Sequence, residues 1–324
     1  MLAVIIVNWN TRDLTLQALS SLFKDLATTP DLAARVWVVD NASSDGSVEA
    51  IRTTFPQVEL IASETNLGFA GGNNAALRAL GFGQPDATLP EAVYLLNSDT
   101  ISHPGATATL YTALFGLPQA GVVGARLTYG DGSFQHSAFG FPGLWQLWFD
   151  LLPAPDRLRE SRLNGRYPQR LYAGETPFAV DHTLGATMML RAEVIQQAGL
   201  FDEGYFMYAE EVDWSWRIQA AGWRIYCVPR AHVTHLGGQS TGQVRPQSMR
   251  NLWQSRLRLF DKHYPRWKAT LARRLVRLGM QRGRRRIAHA TTLSDTDRQE
   301  LDTTYQEIIR LTYEPTRRHR PHAQ

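Results

Sequence analysis

The chain is poor in cysteine, in long apolar runs and in the commonest phosphate-binding motifs. Its 324 residues include one cysteine, Cys227, which excludes a disulfide framework and a cysteine-based zinc site and fits a reducing cytoplasm. The apolar run LAVIIV near the N-terminus is brief, has no basic segment before it, and has no longer counterpart downstream. We therefore expect neither a signal peptide nor a membrane span. No G-x-G-x-x-G follows the first strand and no G-x-x-x-x-G-K-[ST] occurs, which argues against dinucleotide-binding domains and P-loop NTPases.

The net charge of +4 conceals an uneven distribution. Residues 245–290 contain 14 Lys or Arg and a single acidic residue, a charge of +13, whereas the rest of the chain carries −9. A basic segment of this kind attracts phosphates of lipid head groups or of nucleic acid. No known nucleic-acid-binding motif accompanies it, and Leu271, Leu275 and Leu278 recur at helical spacing among arginines. We therefore expect a helix at an anionic membrane surface and no nucleic acid, with a helix packed on the acidic body as the alternative.

The first hundred residues alternate between strand and helix patterns. Apolar runs of strand length stand at 2–8, 36–40, 58–63 and 92–97, and helical patterns separate them at 14–26, 47–55 and 73–80. Near-continuous apolar strands between helices predict an α/β fold with a mainly parallel sheet covered on both faces. Ligands bind such sheets at the carboxyl ends of the strands. The polar residues expected to converge there are Asn8, Asp40, Asn66 and Asp99.

The second half is less regular. GVVGARLTYGDGSF (121–134) predicts a strand and a turn, and 156–180 reads as a variable loop region. The aromatic stretch 141–153 is either a buried helix or an exposed face for a lipid-linked acceptor. A helix is expected at 210–221, and an acidic amphipathic helix at about 294–312 either folds back or mediates a homodimer.

Six motifs follow one another in a fixed order. VIIVNWN, VVDNASSDGS, NLGFAGGNN and LLNSDT come first, and LGATMMLRAEVIQQAGLFDEGYFMYAEEVDWSWR and HVTHLGGQS follow. This series resembles the inverting family 2 glycosyltransferases with the GT-A fold, in particular the rhamnosyltransferase-like branch that builds bacterial cell-wall and surface polysaccharides. The resemblance implies a Rossmann-like catalytic domain at 1–242, with a donor half at 1–100 and an acceptor half at 101–242. A basic helical extension with a disordered tail would follow at 243–324.

The resemblance also assigns the nucleotide site. Asp40 matches an aspartate that accepts a hydrogen bond from the base, and a carboxylate suits the N3–H group of uracil or thymine. The implied donor is thus a dTDP- or UDP-sugar, with dTDP-rhamnose first. For Trp9, core packing is an equal alternative. The residues assigned to the nucleotide are Asn8, Trp9, Asn10, Asp40, Asn66, Gly68 and Asn97.

The metal site and the catalytic base come from the same resemblance. Asp99 matches the last residue of a metal-binding D-x-D motif, and Asn97 stands where its first aspartate is usual. His235 matches a histidine that reaches the metal in several relatives, with His232 as the alternative. Oxygen ligands beside a diphosphate favour Mg²⁺ or Mn²⁺.

The general base of the family is the aspartate of a Glu-Asp-x-Asp segment. The segment here is EEVD, so Glu211 stands at that position and keeps the carboxylate. Asp213 is the alternative base, although its spacing to Arg217 fits an orienting ion pair instead.

The implied acceptor is a glycan linked to polyprenyl diphosphate, which places the protein in the cytoplasm, peripheral at the inner face of the cytoplasmic membrane. Two other classes compete with this hypothesis. A sugar-nucleotidyltransferase would carry a glycine-rich loop with a following arginine directly after the first strand, and that loop is missing. An inactive nucleotide-sugar-binding or adaptor protein is supported only by the departures at Asn97 and Glu211.

Overall fold

The computed structural model describes residues 1–237, 245–290 and 293–314. The tail at 317–324, predicted to be disordered, lies outside these residues. The chain forms two compact units. Unit 1 comprises residues 1–141, 166–206 and 210–240, and unit 2 comprises 142–165, 207–209 and 241–324. Unit 2 thus takes in 142–165 as well as the C-terminal residues, and the functional division at residue 242 stays a prediction.

The elements alternate as expected over the first hundred residues. The strands are β1 (Leu2–Asn8), β2 (Ala34–Asn41), β3 (Glu59–Ser63), β4 (Ala92–Asn97), β5 (Thr100–Ser102), β6 (Ala120–Thr128), β7 (Phe134–Gln135), β8 (Ala138–Phe139), β9 (Phe178–Val180), β10 (His182–Thr183), β11 (Thr187–Arg191) and β12 (Arg224–His235). The helices are α1 (Arg12–Leu26), α2 (Ser47–Thr54), α3 (Gly68–Ala79), α4 (Ala106–Gly116), α5 (Leu144–Leu151), α6 (Asp156–Arg159), α7 (Gln169–Ala173), α8 (Ala192–Ala198), α9 (Glu210–Ala220), α10 (Arg245–His263), α11 (Arg266–Ala288) and α12 (Asp295–Leu311).

Unit 1 is built on one large sheet with the strand order β3-β2-β1-β4-β11-β6-β12-β5. β1 pairs in parallel with β2 and β4, and β2 pairs in parallel with β3. β11 enters antiparallel between β4 and β6, and β5 lies antiparallel to β12. Asn8 is directly opposite Asp40 in the register of β1 and β2, so the polar ends of these strands are neighbours. The predicted α/β fold is confirmed.

Two apolar layers cover the faces of this sheet. Alternate residues of β1 point to opposite sides: Ala3 and Ile5 enter the layer beneath α3, α8 and α9, while Val4 and Ile6 enter the layer beneath α1, α2 and α4. All four side chains are fully buried. Burial on both faces is the reason that the strand reads as an unbroken apolar run.

Two segments differ from the sequence-based expectation. The helix predicted at 73–80 begins earlier, at Gly68, despite the low helix propensity of its glycines. A Cβ added at Gly72 would lie 2.8 Å from the Val7 side chain, so close packing of α3 on β1 requires glycine and overrides propensity. The region 156–180 contains α6, α7 and β9 instead of an irregular loop.

Unit 2 is helical and has its own apolar core. α10, α11 and α12 bury Trp253, Phe260, Val276, Met280 and Ile308 among themselves. The acidic α12 therefore folds back on the basic helices, and a homodimer stays a prediction. Within the described ranges, no helix is both long enough and apolar enough to cross a bilayer.

Candidate active site

A buried hydrogen-bond network joins the ends of β1 and β2. The fully buried Asn8 donates from Nδ2 to Asp40 Oδ1 at 2.6 Å and to Ser43 Oγ at 3.2 Å. Its Oδ1 accepts from the hydroxyls of Thr11 and Thr15 at 2.7 and 2.8 Å. Both donors and both lone pairs of the amide are thus used inside the protein. Asn8 holds the carboxylate of Asp40 in place.

Asp40 keeps capacity for a ligand. Its Oδ2 accepts from the backbone N–H of Ser43 at 2.9 Å, so each carboxylate oxygen accepts one bond from the protein. A carboxylate has about four acceptor sites, which leaves one on each oxygen. The residue is almost fully buried, and an ionised carboxylate there gains from any further donor. This arrangement is compatible with the predicted bond to a pyrimidine N3–H group.

The loops after β1 and β2 are bonded to each other in unusual backbone conformations. Asn10 and Ala42 have φ values of +51° and +58°, a left-handed region that is uncommon for residues other than glycine and frequent at functional sites. Ser43 Oγ accepts from Asn10 N at 2.9 Å, and Asn10 Oδ1 accepts from Ser44 N at 2.7 Å. Trp9 is partly buried and belongs to none of the three apolar clusters formed by the described residues, so core packing is not supported, and its place in the nucleotide site stays a prediction.

The segment before α3 is fixed at both ends. Asn41 donates from Nδ2 to the carbonyl of Gly68, and the N–H of Gly68 donates to Asn66 Oδ1, both at 2.9 Å. The N–H of Phe69 donates to the carbonyl of Phe206 at 2.9 Å. Gly68 has a φ of +71°, and a Cβ added to it would lie 2.1 Å from that carbonyl oxygen. Glycine is therefore required at 68 by the approach of two backbones.

Asp99 and His235 face each other, as the sequence predicted. Asp99 Oδ1 lies 3.3 Å from His235 Nε2, and both residues are about nine-tenths buried. His235 Nδ1 lies 3.2 Å from Gln135 Oε1; because an amide oxygen only accepts, Nδ1 carries a hydrogen in this contact, and Nε2 is the ring nitrogen that faces Asp99. A carboxylate oxygen and an imidazole nitrogen that lie side by side are groups that ligate divalent cations.

Further observations bear on the predicted ligand set. His232 lies elsewhere on β12, where its Nε2 is bonded to Thr128 Oγ1 at 3.0 Å. The structure therefore does not support it as the alternative ligand. In the described parts of the chain, no group of three or more His, Cys, Asp and Glu side chains is placed to hold a metal. Additional ligands would have to come from the substrate or water, as is usual for Mg²⁺.

Two adjacent glutamates open α9. Glu210 is nearly fully buried, and the Oε2 atoms of Glu210 and Glu211 are buried without a hydrogen-bond partner. Burial raises the pKa of Glu211 to about 7, and burial together with the charge of Glu211 raises the pKa of Glu210 well above its ordinary value. A carboxylate whose pKa lies near neutrality is suited to act as a general base. A Cβ added at Gly185 would contact both the Phe69 ring and Glu211 Cβ, at 3.6 and 3.8 Å, so Phe69 at the start of α3 and Glu211 are close.

Asp213 occupies a different environment. It is fully buried and accepts from Arg217 Nε at 3.0 Å. The same guanidinium donates to the carbonyls of Ala198 and Leu200. This geometry fits the orienting ion pair that the spacing predicts, and the assignment of Glu211 as base stays a prediction.

Several residues of the site were not predicted from the sequence. The hydroxyls of Thr11, Thr15 and Ser43 complete the shell around Asn8, and Gln135 orients His235. The run of small polar residues in NASSDGS was the one available signal for Ser43. Nothing local marks Gln135, because its contact depends on the pairing of β7 with β6. Asn97 ends β4, and no hydrogen bond ties its side chain to another described residue.

A sheet of this type, with polar groups at the ends of its parallel strands and a buried acid pair near the start of α3, is the arrangement expected of a nucleotide-sugar-dependent glycosyltransferase. The chain belongs to glycosyl transferase family 2, since the sequence model with that description matches residues 3–196, more than half of the chain. It is 31% identical over 283 residues to the N-acetylglucosaminyl-diphospho-decaprenol L-rhamnosyltransferase of Mycobacterium tuberculosis, covering 83% of this chain and 92% of that protein. The protein is thus rhamnosyltransferase-like and an enzyme, and an inactive binding protein is not favoured.

Solved structures share the fold. The mannosyltransferase PcManGT from Pyrobaculum calidifontis, in complex with GDP-Man and Mn²⁺, aligns with a TM-score of 0.54 at 16% identity, over 96% of this chain and 86% of that chain. TarS 1-349 of S. aureus, in complex with UDP, aligns with a TM-score of 0.50 at 15% identity, over 96% and 88%. At these identities the likeness speaks for the fold alone. The predicted GT-A fold is confirmed.

Proposed function

We propose that this enzyme transfers rhamnose from dTDP-rhamnose, with inversion, to a glycan acceptor linked to polyprenyl diphosphate. The observation that carries the proposal is the similarity, over 83% of the chain, to a rhamnosyltransferase whose name specifies such an acceptor. The site supports this proposal in two ways. Asp40 can accept a further hydrogen bond, as from the N3–H of thymine or uracil, and the pKa of Glu211 is raised to about 7, which suits a general base. A UDP-sugar is the second choice of donor.

The residues divide the chemistry between them. Glu211 takes the proton from the acceptor hydroxyl as its oxygen attacks the anomeric carbon, opposite the departing nucleoside diphosphate. The nucleoside diphosphate leaves with the electron pair of its bond to the anomeric carbon, and the new glycosidic bond has the inverted configuration. Asp40 and the loops around it hold the nucleoside. Residues 66–69 cover the donor, and the hydrogen bond from Phe69 to Phe206 keeps them against the chain leading to α9.

Asp99 and His235 would hold a divalent cation together, and either Mg²⁺ or Mn²⁺ suits a mixed oxygen and imidazole set. When bound, such a cation neutralises charge on the departing diphosphate. The orientation of His235 by Gln135 supports this role, because metal-binding histidines normally donate their other ring N–H to an oxygen.

Purified protein should be screened against a panel of sugar nucleotides, with a polyprenyl-diphosphate-linked acceptor and either cation. We expect acceptor-dependent release of nucleoside diphosphate, fastest with dTDP-rhamnose. Turnover with another sugar nucleotide but not with dTDP-rhamnose would show that the other sugar nucleotide is the donor. Absence of turnover with all of them, despite tight nucleotide binding, would favour the inactive binding protein.

The nucleotide assignment predicts a defined loss of affinity. Asp40→Ala should weaken binding of dTDP or UDP by about 1.5–3 kcal/mol, the usual contribution of a hydrogen bond to a charged group. Calorimetry measures this, with Asp45→Ala as the control, since the Asp45 carboxylate accepts from Arg12 and Ser47 and from no other residue that the structure describes. Unchanged affinity in Asp40→Ala would remove Asp40 from the nucleotide site.

The proposed acceptor places the enzyme at the cytoplasmic face of a membrane, and unit 2 has a surface suited to it. On α11, Trp267, Leu271, Arg274, Leu278 and Arg285 are exposed and recur at spacings that share one helical face. Trp267 is 63% exposed, an unfavourable position in water for so large an apolar side chain. An exposed face of aromatic, aliphatic and basic residues is typical of helices that lie at an anionic membrane surface.

The sequence-based version of this surface needs correction. Leu275 packs into the core of unit 2, and Arg273 and Arg284 form ion pairs with Asp261 and Asp302. Part of the basic charge therefore stabilises unit 2 through ion pairs within that unit. Of the aromatic stretch at 141–153, α5 buries Leu147 and Phe149 but exposes Trp145 and Trp148, and an acceptor face there stays a prediction.

Flotation with liposomes tests the membrane surface. We expect binding to anionic vesicles and little to neutral ones, and reversal of Arg274 and Arg285 to glutamate should weaken it by roughly 30-fold or more, since each basic residue near such a surface contributes about 1 kcal/mol. The matched control is the double reversal of Arg52 and Arg224, two exposed arginines of unit 1. Equal binding to both vesicle types, or an equal loss in the control, would contradict the assignment.

A further inference from the structure

A second polar cluster lies on β12 away from Asp99. The imidazoles of His103 and His232 stack with ring centroids 4.0 Å apart and planes 7° from parallel. His103 Nε2 is 2.9 Å from Thr234 Oγ1, His232 Nε2 is 3.0 Å from Thr128 Oγ1, and the two hydroxyls are 3.2 Å apart. The threonines thus fix both rings through one continuous chain of hydrogen bonds.

The hydrogen bonds to the threonines limit which ring nitrogens of His103 and His232 can bind a ligand. The chain contains three hydrogen bonds, and the two threonine hydroxyls supply two of the hydrogens. At least one imidazole must therefore donate from Nε2. Neither Nδ1 has a partner among the residues described, so each ring keeps one nitrogen for a ligand.

Arg126 adds a positive charge to this pair. In the register of β6 and β12 it stands directly opposite His232. Its Nε is buried without a partner, and among the described residues no carboxylate pairs with its guanidinium. Burial, the neighbouring His103 and the charge of Arg126 lower the pKa of His232 to about 4. A partly buried guanidinium without a counter-ion is costly, and a bound anion would remove that cost.

The position of the cluster relates it to the reaction. Leu127 and Val233, the next residues along β6 and β12, enter the apolar layer under α1, α2 and α4. Alternation therefore places Arg126 and His232 on the other face of the sheet, the face that α9 and its glutamates cover. His232 precedes His235 by three residues, so about 10 Å of strand separate it from the candidate metal site.

We propose that Arg126, with His103 and His232, forms an anion site that binds the diphosphate of the lipid-linked acceptor. This inference rests on the proposed function, in which two diphosphates meet at one enzyme. Asp99 and His235 serve the diphosphate of the donor, and the acceptor needs a separate cationic contact on the face that carries the base. The guanidinium supplies paired N–H donors that suit phosphate oxygens, and an imidazole that carries a hydrogen on Nδ1 adds a donor beside it.

The first test uses inorganic diphosphate in metal-free buffer, followed by the imidazole NMR signals of the protein. We expect the signals of His103 and His232 to shift saturably, and those of the buried His182 to stay unchanged. Arg126→Gln should weaken this binding by about 10- to 150-fold, while Arg126→Lys restores part of it. Arg224→Gln, an exposed arginine at the start of β12, is the matched control. Unfolding temperature shows whether Arg126→Gln has kept the fold.

The second test separates the sources of the anion. Arg126→Gln should raise KM for a polyprenyl-diphosphate-linked acceptor by at least 10-fold, but leave KM for the donor unchanged. With an acceptor analogue that lacks the diphosphate, the variant and the natural enzyme should have the same KM. Diphosphate binding that does not depend on Arg126 would overturn the site. Binding that depends on Arg126 with an unchanged acceptor KM would overturn the acceptor assignment. If no lipid-linked acceptor is used at all, the proposed function fails, and the NMR titration still decides whether the anion site exists.

Discussion

Replacing Asp99 with alanine is expected to abolish glycosyl transfer while the protein remains folded. The substitution removes the carboxylate that faces His235, so a divalent cation would lose a charged protein ligand. Without the cation, the charge that develops on the departing nucleoside diphosphate is not neutralised. The backbone carbonyl of Asp99, which accepts from the N–H of Leu236, is unaffected by the change. Steady-state turnover with saturating Mg²⁺ or Mn²⁺ measures the effect, and far-ultraviolet circular dichroism checks the fold.

Asp86→Ala is the control for this variant, because Asp86 is an exposed carboxylate in the loop before β4. It should be indistinguishable from the natural enzyme. His235→Ala should raise the concentration of metal needed for half-maximal activity, since it removes a neutral ligand rather than a charged one. Full activity of the natural enzyme in excess chelator, or of Asp99→Ala in any buffer, would show that no cation at this position takes part.

Glu211→Gln is expected to lower turnover by roughly 10²-fold or more, the scale on which general bases contribute. Glutamine preserves the size of the side chain and cannot accept the proton, so binding of the donor should persist. The pH dependence gives an independent signature. Because the pKa of Glu211 is raised to about 7 and the base acts only when ionised, kcat/KM of the natural enzyme should rise with pH through about 7. That rise should be absent from Glu211→Gln.

Two companion variants make the assignment of the base specific. Glu211→Asp keeps a carboxylate but shortens the side chain by one methylene. Its turnover should lie between those of the natural enzyme and Glu211→Gln, because a displacement near 1 Å lowers the rate of a reaction that depends on exact positioning. Asp213→Asn leaves Arg217 without its buried partner and should lower stability by about 3–5 kcal/mol without moving the pH profile. If Glu211→Gln turns over normally while Asp213→Asn is folded and inactive, the base is Asp213.

The parts of the fold that depend on local pattern were predictable from the sequence. β1 at 2–8 and β4 at 92–97 have the predicted bounds, because a strand buried on both faces must be apolar throughout and its end is marked by the first polar residue. The facing of Asp99 and His235 was also expected. It came from the order of motifs in the family rather than from any spacing between the two residues.

The remaining features depend on contacts between distant segments. The pairing of Arg126 with His232 follows from the placement of β6 beside β12, and no local periodicity encodes that neighbourhood. The raised pKa of Glu211 is likewise a consequence of burial, because the sequence shows a carboxylate without showing what surrounds it. α3 begins at Gly68 for a related reason, since helix propensity is overridden there by packing against β1.

A hydrogen bond from the N–H of Phe69 to the carbonyl of Phe206 joins two loops. Gly68 allows this close approach because it has no Cβ. Because this hydrogen bond connects the two loops, an outward movement of one loop would displace the other. Under the proposed function, any movement of residues 66–69 away from the donor would therefore be transmitted to the chain that leads to Glu211, and with it to the proposed base.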